Sequence, residues 1–543
     1  KGGKSMKGSK SSYCADFKER PRTNAPTNAP TNAPTQPRSS KLPSSLSPTS
    51  TPTRACASQA GKENDIAQIV EDIGTVVTPG SPDEAAVTWL TFIDETNSCL
   101  DGGAALQDRL ILALYYYRTD GANWVNNSGW LTNTDHCTWY GISCTVGNIV
   151  NIIMDLNNVN GEIPPEFSKL ENLSILRLYN NQLKGEIPSS LYSLPNLIFV
   201  DVEENRLRGG LFDAALFNAT SLLRLRASFN EFTDGTIPPE ISSLTSLQQL
   251  WIAGCGLTGS IPSEISNLAN LKDFIAYDNE LTGTIPDLTD LRSLQKLDLN
   301  NNKLTGPFHS SIGLLVELKR IILYENFLTG TLPSTIGNLD QTNDFMLANN
   351  TLSGTLPAGF SSLSQMVNLD LENNSFSGPL PDYDSWQFLQ YFNANNNSLS
   401  GPIDASLFDK ANLRFVYLSN NTLTGNLPSN FGQPLFLEDV WLNGNFLTGS
   451  IPDAQSGDFA NITELLLNDN LLSGSVPASI CSLRDESSIN YRSLFDTLHA
   501  DCAPFEGTDV IPNPCDCCSD CFEGKQQTRS TWHGKGPKKK ESK

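Results

Sequence analysis

The side chains that could do chemistry are few and scattered. Four histidines, His136, His309, His499 and His533, lie far apart, and none stands at useful spacing from a nucleophile. No paired-carboxylate motif and no phosphate-cradling glycine loop occurs either, so a catalytic role is set aside and no cofactor is implied. Twelve cysteines remain. Four of them, in Cys515-Asp516-Cys517-Cys518-Ser519-Asp520-Cys521, have a spacing that suits zinc. With Cys481 and Cys502 nearby, three disulfides fit better, and such a set belongs to an oxidising compartment. Their connectivity stays open, and no metal site is assigned. Cys137 and Cys144 close a short loop that a disulfide can span, leaving Cys14, Cys56, Cys99 and Cys255.

The elements that position everything else come from a pattern that recurs every 23 to 25 residues between Ile149 and Gly474. A clean copy reads Leu318, Ile321, Leu323, Asn326, Leu328, Gly330, then Leu332-Pro333. This is L-x-x-L-x-L-x-x-N-x-L-x-G, a leucine-rich repeat, present in fourteen copies. The predicted fold is an α/β leucine-rich repeat solenoid with a curved parallel sheet on its concave face. Positions 4 and 6 should point inward from a short strand, with 5, 7 and 8 outward. The asparagine at position 9 should turn inward and satisfy backbone groups. Thirteen copies keep it: Asn157, Asn181, Asn205, Asn230, Asn279, Asn302, Asn326, Asn350, Asn374, Asn397, Asn421, Asn445 and Asn470. Cys255 fills the remaining slot and reads as a buried free thiol. The fourth copy carries an extra residue, Asp234, and should bulge.

The expected boundaries are a Lys/Thr/Pro-rich tail over 1–60, a helical and cysteine-bearing cap over 61–148, the array over 149–485, a cysteine-rich cap over 486–523 and a basic tail over 524–543. Ser81-Pro82-Asp83-Glu84 opens one helix, with Ala86, Trp89, Leu90 and Ile93 as its apolar stripe. A second helix runs from Ala104 to Tyr117. The cap is needed because a first coil without one would expose the core.

The cap motif Trp130-Leu131, then Cys137-Thr138-Trp139-Tyr140-Gly141-Ile142-Ser143-Cys144, leads straight into repeats ending G-x-I-P. It resembles the N-terminal cap of plant-type leucine-rich repeat proteins, a group that includes receptor-kinase ectodomains and polygalacturonase-inhibiting proteins. The helical segment before it, and the C-terminal Cys-x-Cys-Cys-x-x-Cys-Phe, are similar to those of the diatom leucine-rich repeat families. The resemblance implies ligand binding on the concave face and a second, edge-strand element after each Gly. No kinase signature follows the array.

The formal net charge is −22, yet residues 1–54 hold ten Lys/Arg against Asp16 and Glu19, and 524–543 hold seven against Glu541. An acidic body between basic tails argues against nucleic-acid binding by the body. The tails suit an anionic wall or silica surface, since lysines recur every third residue in 1–10. Eight sequons, at Asn126, Asn172, Asn218, Asn349, Asn373, Asn396, Asn420 and Asn461, support secretion, and those at 349 to 420 all sit at position 8 of four successive repeats. No apolar run reaches the length of a membrane span, and with Lys1 first the chain is expected to be a mature or truncated form.

Function should then be written on the concave face. Trp251, Tyr277 and Tyr324 form one exposed aromatic group and Tyr417 with Trp441 another, while Asp298 and Asp370 favour a basic or polar ligand. The expected role is an extracellular, cell-wall or cell-surface recognition or adhesion protein for a protein, peptide or polysaccharide ligand. The alternatives are a structural wall or silica-associated protein held by its tails, and a kinase-less receptor-like ectodomain.

Overall fold

The computed structural model describes residues 59–94, 104–233, 235–484, 495–501, 517 and 520–522. These lie in the second of two compact units, Arg54–Lys543; the first, Lys1–Thr53, falls outside them, as do the basic tails, Cys14, Cys56, Cys99, Cys502, Cys515, Cys518 and the side chain of Cys521.

Three helices build the N-terminal cap: α1 (Gln59–Ile73), α2 (Pro82–Thr88) and α3 (Ala104–Arg118). The first was missed in the sequence, although Ile66, Ile69 and Ile73 recur at helical spacing and are all buried. Ser81 caps α2 by accepting the Glu84 N–H at 3.1 Å, and Glu84 reaches back to the Gly80 N–H at 2.6 Å. One π turn, Trp89–Ile93, extends α2. Its wider winding buries Trp89 and Leu90 but leaves Ile93 57% exposed, so Ile93 is not part of the expected stripe. Asp94, just beyond, points inward to Arg109. That guanidinium is fully buried and satisfied: it holds Asp94 through two bonds of 2.8 Å and donates to the Thr132 and Thr134 carbonyls. It also lies over the rings of Trp89 and Trp139, at 5.3 and 4.9 Å. Trp139 is buried against Trp130, and the Cys137–Cys144 disulfide closes its loop.

The strand Ile142–Thr145 runs antiparallel to Asn148–Ile153, and from there every strand is parallel to the one before. Fourteen strands follow the fourteen repeats, in register, so that Ile321 lies between Leu297 and Phe345. At the far end Thr497–Asp501 and Asp520–Phe522 add two more, and Cys481–Cys517 staples this cap. At about 4.8 Å per strand the fourteen span roughly 60–65 Å.

The asparagine ladder joins each coil to the last. The Asn326 Oδ1 accepts the Leu304 N–H at 3.0 Å, while its Nδ2 donates to the carbonyls of Leu299, Leu323 and Tyr324. Cys255 makes only sulfur bonds in this slot, donating to the Ala227 carbonyl at 3.3 Å. It is buried and free, and burial pushes its thiol up to about 12.

A second parallel sheet of eight strands, from Thr282–Thr284 to Phe446–Thr448, lines the flank; its strands lead into or run through the position 13 Gly, as Lys303–Gly306 and Phe327–Gly330 do, and do not follow it as expected. It stops short of a separate pair, Lys184–Gly185 with Arg206–Leu207, and only isolated bridges cross the fourth and fifth repeats. Asp234 itself lies outside the described residues. Glycine is required at position 13: Gly306 has φ +77°, and a Cβ there would sit 2.6 Å from the Thr284 Cγ2. No helix among the described residues is long and apolar enough to cross a membrane.

Candidate functional site

Strand alternation decides what the concave face shows. Each strand holds positions 3, 4 and 5, so positions 3 and 5 both point outward while 4 enters the core. The sequence reading used columns 5, 7 and 8 and missed column 3. The period of two was the available signal. Column 3 supplies Gln249, Tyr391 and Asp439, which together with column 5 neighbours such as Arg226 hold the column 5 aromatics in place.

In the N-terminal half, the Arg226 guanidinium lies 3.7 Å from the centroid of the half-buried Trp251. Arg226 is itself steered by Gln249, at 2.9 Å, and Asp201, at 3.8 Å; Gln249 donates in turn to Asp273 at 2.8 Å. The Trp251 Nε1 has no hydrogen-bond partner among the described residues. Tyr277 packs edge-on against Phe229 at 5.8 Å, and Tyr324 is half-buried two coils further on.

The C-terminal half differs from expectation. Tyr417 is only 3% exposed, because its ring is gripped by Trp441 at 4.4 Å and Tyr391 at 5.7 Å while its hydroxyl donates to Asp439 at 2.7 Å. It braces the site and does not offer a free face. Trp441 remains half-buried, its Nε1 donating to Glu464 at 2.9 Å. Phe415 and Tyr391, both from the missed column, complete the set at 6.1 Å from each other.

The predicted acids are more enclosed than exposed surface carboxylates. Asp370 is buried and accepts from the Tyr391 hydroxyl at 3.4 Å; burial pushes its carboxyl up to about 7. Asp298 accepts from Asn300 at 2.5 Å, and burial raises it to about 6 despite nearby Arg320. Burial likewise raises Asp201 to about 6 and Glu203 to about 8. A cationic group arriving here would draw these carboxyls into their charged form.

No metal centre emerges among the described residues: His136, Cys137 and Cys144 come together, but both cysteines are spent in their disulfide. A cleft of about 1150 Å³ on the flank, lined by Glu162, Glu186, Asp213 and Thr236 among others, opens where the second sheet is interrupted and lies away from these columns. Of the sequon asparagines outside position 8, Asn172, Asn218 and Asn461 are exposed; the Asn461 Nδ2 donates to the Leu435 carbonyl at 2.6 Å, and the Asn126 Oδ1 accepts from the Ser128 N–H at 3.0 Å.

The Leucine Rich Repeat family profile matches residues 172–194, 246–268, 293–315 and 412–434. No curated protein gives a significant match. Among solved structures, the plant peptide hormone receptor RGFR1 in complex with RGF2 is similar at 27% identity and TM-score 0.58, covering 67% of this chain and 65% of that one. A TDR receptor is similar at 29% identity and TM-score 0.58, covering 64% and 60%. PEPR1–AtPEP1, at 24% identity and TM-score 0.51, shares the fold, covering 70% and 64%. The chain thus spans less than two thirds of the length of these three structures.

Proposed function

Because the chain is a plant-type leucine-rich repeat protein, we propose that it is an extracellular recognition or adhesion protein whose concave sheet holds an extended peptide or protein segment. One observation carries this reading. Two braced aromatic sites, Arg226/Trp251 and Tyr417/Trp441, stand on the same face of one rigid sheet. They are eight strands apart, about 38 Å at the usual strand spacing, a distance an extended segment of roughly a dozen residues covers. Their side chains are already immobilised by neighbours in columns 3 and 5, so little ordering entropy remains to be lost on binding.

The nature of the ligand follows from the same columns. The enclosed carboxyls Asp201, Glu203, Asp298 and Asp370 favour a basic or polar segment over an acidic polymer. The similarity to a plant peptide hormone receptor solved with RGF2 supports a peptide. The two cap disulfides fit an extracellular location.

The test is a pull-down with the full chain from native secreted material, repeated with Trp251→Ala and Trp441→Ala. Loss of the captured peptide or protein in both variants is the expected result. Undiminished capture by both variants, or capture of polysaccharide alone, would count against a concave peptide site.

A further inference from the structure

Position 8 has one backbone conformation in every repeat. All fourteen residues there have positive φ, from Leu156 at 56° through Phe229 at 56° and Glu325 at 54° to Asp469 at 55°. Six residue types share this left-handed turn, so the turn alone does not demand asparagine. Repeats nine to twelve nevertheless place asparagine there four times running, each with Ser or Thr two residues later. Asn373, Asn396 and Asn420 are exposed and Asn349 half-buried, so the four side chains form one strip along the rim of the concave sheet.

Neighbouring members of the strip are one strand apart, about 4.8 Å. The first sugar of an N-linked chain already fills that width. The asparagines are also coupled in pairs: the Asn373 Nδ2 donates to the Asn349 Oδ1 at 2.8 Å, and the Asn420 Nδ2 to the Asn396 Oδ1 at 2.8 Å. A sugar on one member therefore crowds the amide to which it is bonded.

We propose that this strip is an N-glycosylation site with alternate occupancy, in which no two neighbouring repeats carry a glycan in the same folded molecule and the strip holds at most two. In the reaction the amide nitrogen attacks the anomeric carbon of a lipid pyrophosphate-linked oligosaccharide. A C–N bond forms, the glycosyl–oxygen bond breaks, the lipid pyrophosphate leaves and the amide gives up one proton. The transfer takes place on the extended chain. Stacking of the coils then selects against molecules with adjacent sugars. In repeats nine to twelve the glycans close one rim, and a ligand approaches columns 3 and 5 from the other.

The sequence makes the test direct, because residues 321–409 contain no Lys or Arg and one tryptic peptide, 321–410, carries Asn349, Asn373 and Asn396 together. The full chain is secreted from a eukaryotic host, deglycosylated enzymatically in heavy-oxygen water, and the labels on each peptide molecule are counted and placed. Expected are peptides labelled once, or at Asn349 and Asn396 together. Peptides labelled at both Asn349 and Asn373, or at both Asn373 and Asn396, overturn the proposal, as does a strip without labels. Asn373→Gln should raise occupancy at Asn349 by the share lost at 373; independent sites would leave it unchanged. The wild-type map decides the matter even if that variant is not secreted.

Discussion

The Arg226 guanidinium lies 3.7 Å from the ring centroid of Trp251, one coil further along, and is held there by Gln249 and Asp201. A cation stacked on an indole fixes the ring, leaving the exposed part of the half-buried side chain to a ligand. Trp251→Ala should therefore weaken ligand binding by about 2 kcal/mol, roughly 30-fold in Kd, as expected of a central aromatic anchor. Calorimetric titration with the captured ligand measures this. A change under twofold would remove Trp251 from the site.

Tyr417 and Asp439 are tied by a 2.7 Å hydrogen bond in a buried setting. Tyr417→Phe keeps the ring contacts with Trp441 and Tyr391 but takes away a donor from an enclosed carboxylate. The expected loss is about 1–3 kcal/mol of stability, read as a lower urea midpoint at unchanged slope. An unaltered midpoint would show that the hydroxyl does not brace the cluster.

The ladder offers a contrast within one protein. Asn326→Ala leaves the Leu304 N–H without its buried partner and takes one of the two amide donors from the Leu299 carbonyl, which keeps Asn302, at a cost of roughly 2–4 kcal/mol. Cys255→Ala removes only weak sulfur bonds and a small side chain, so its cost should stay below about 2 kcal/mol. Denaturant titration of the two variants compares them, and equal losses would mean that the amide network is not what joins the coils.

The concave carboxyls give stability a pH dependence whose sign is set by burial. Unfolded, Asp370 and Glu203 ionise near 3.8 and 4.5; folded, burial raises them to about 7 and about 8. Between those values the folded chain holds more protons than the unfolded one, so their contribution falls as pH rises through that window. Asp370→Asn and Glu203→Gln should therefore raise Tm, relative to the parent, more at pH 7.5 than at pH 5. A larger gain at pH 5 would contradict the assignment.

Most of the scaffold was legible because a repeat states its own geometry many times. The Leu, Asn and Gly positions fixed fourteen strands and their ladder, and the spacing of Cys137 and Cys144 anticipated their bond. What escaped was written once. Ile66, Ile69 and Ile73 mark a single helix without a repeat to reinforce it. Tyr417 could not be recognised as buried, since its cover comes from Tyr391 and Trp441 in neighbouring coils. Asp439 and Glu464 gained their roles only once column 3 was seen to share a face with column 5.

The concave-face account is tested most directly by site-specific photocrosslinking. A benzophenone amino acid replaces Tyr324, half-buried on the concave face, or Val316, which is 47% exposed and lies outside the sheet strands, and each full-length variant is irradiated with native secreted peptides and proteins. The account predicts an adduct from position 324 that unlabelled parent protein competes away, and none from position 316. An adduct from 316 with none from 324 would contradict it.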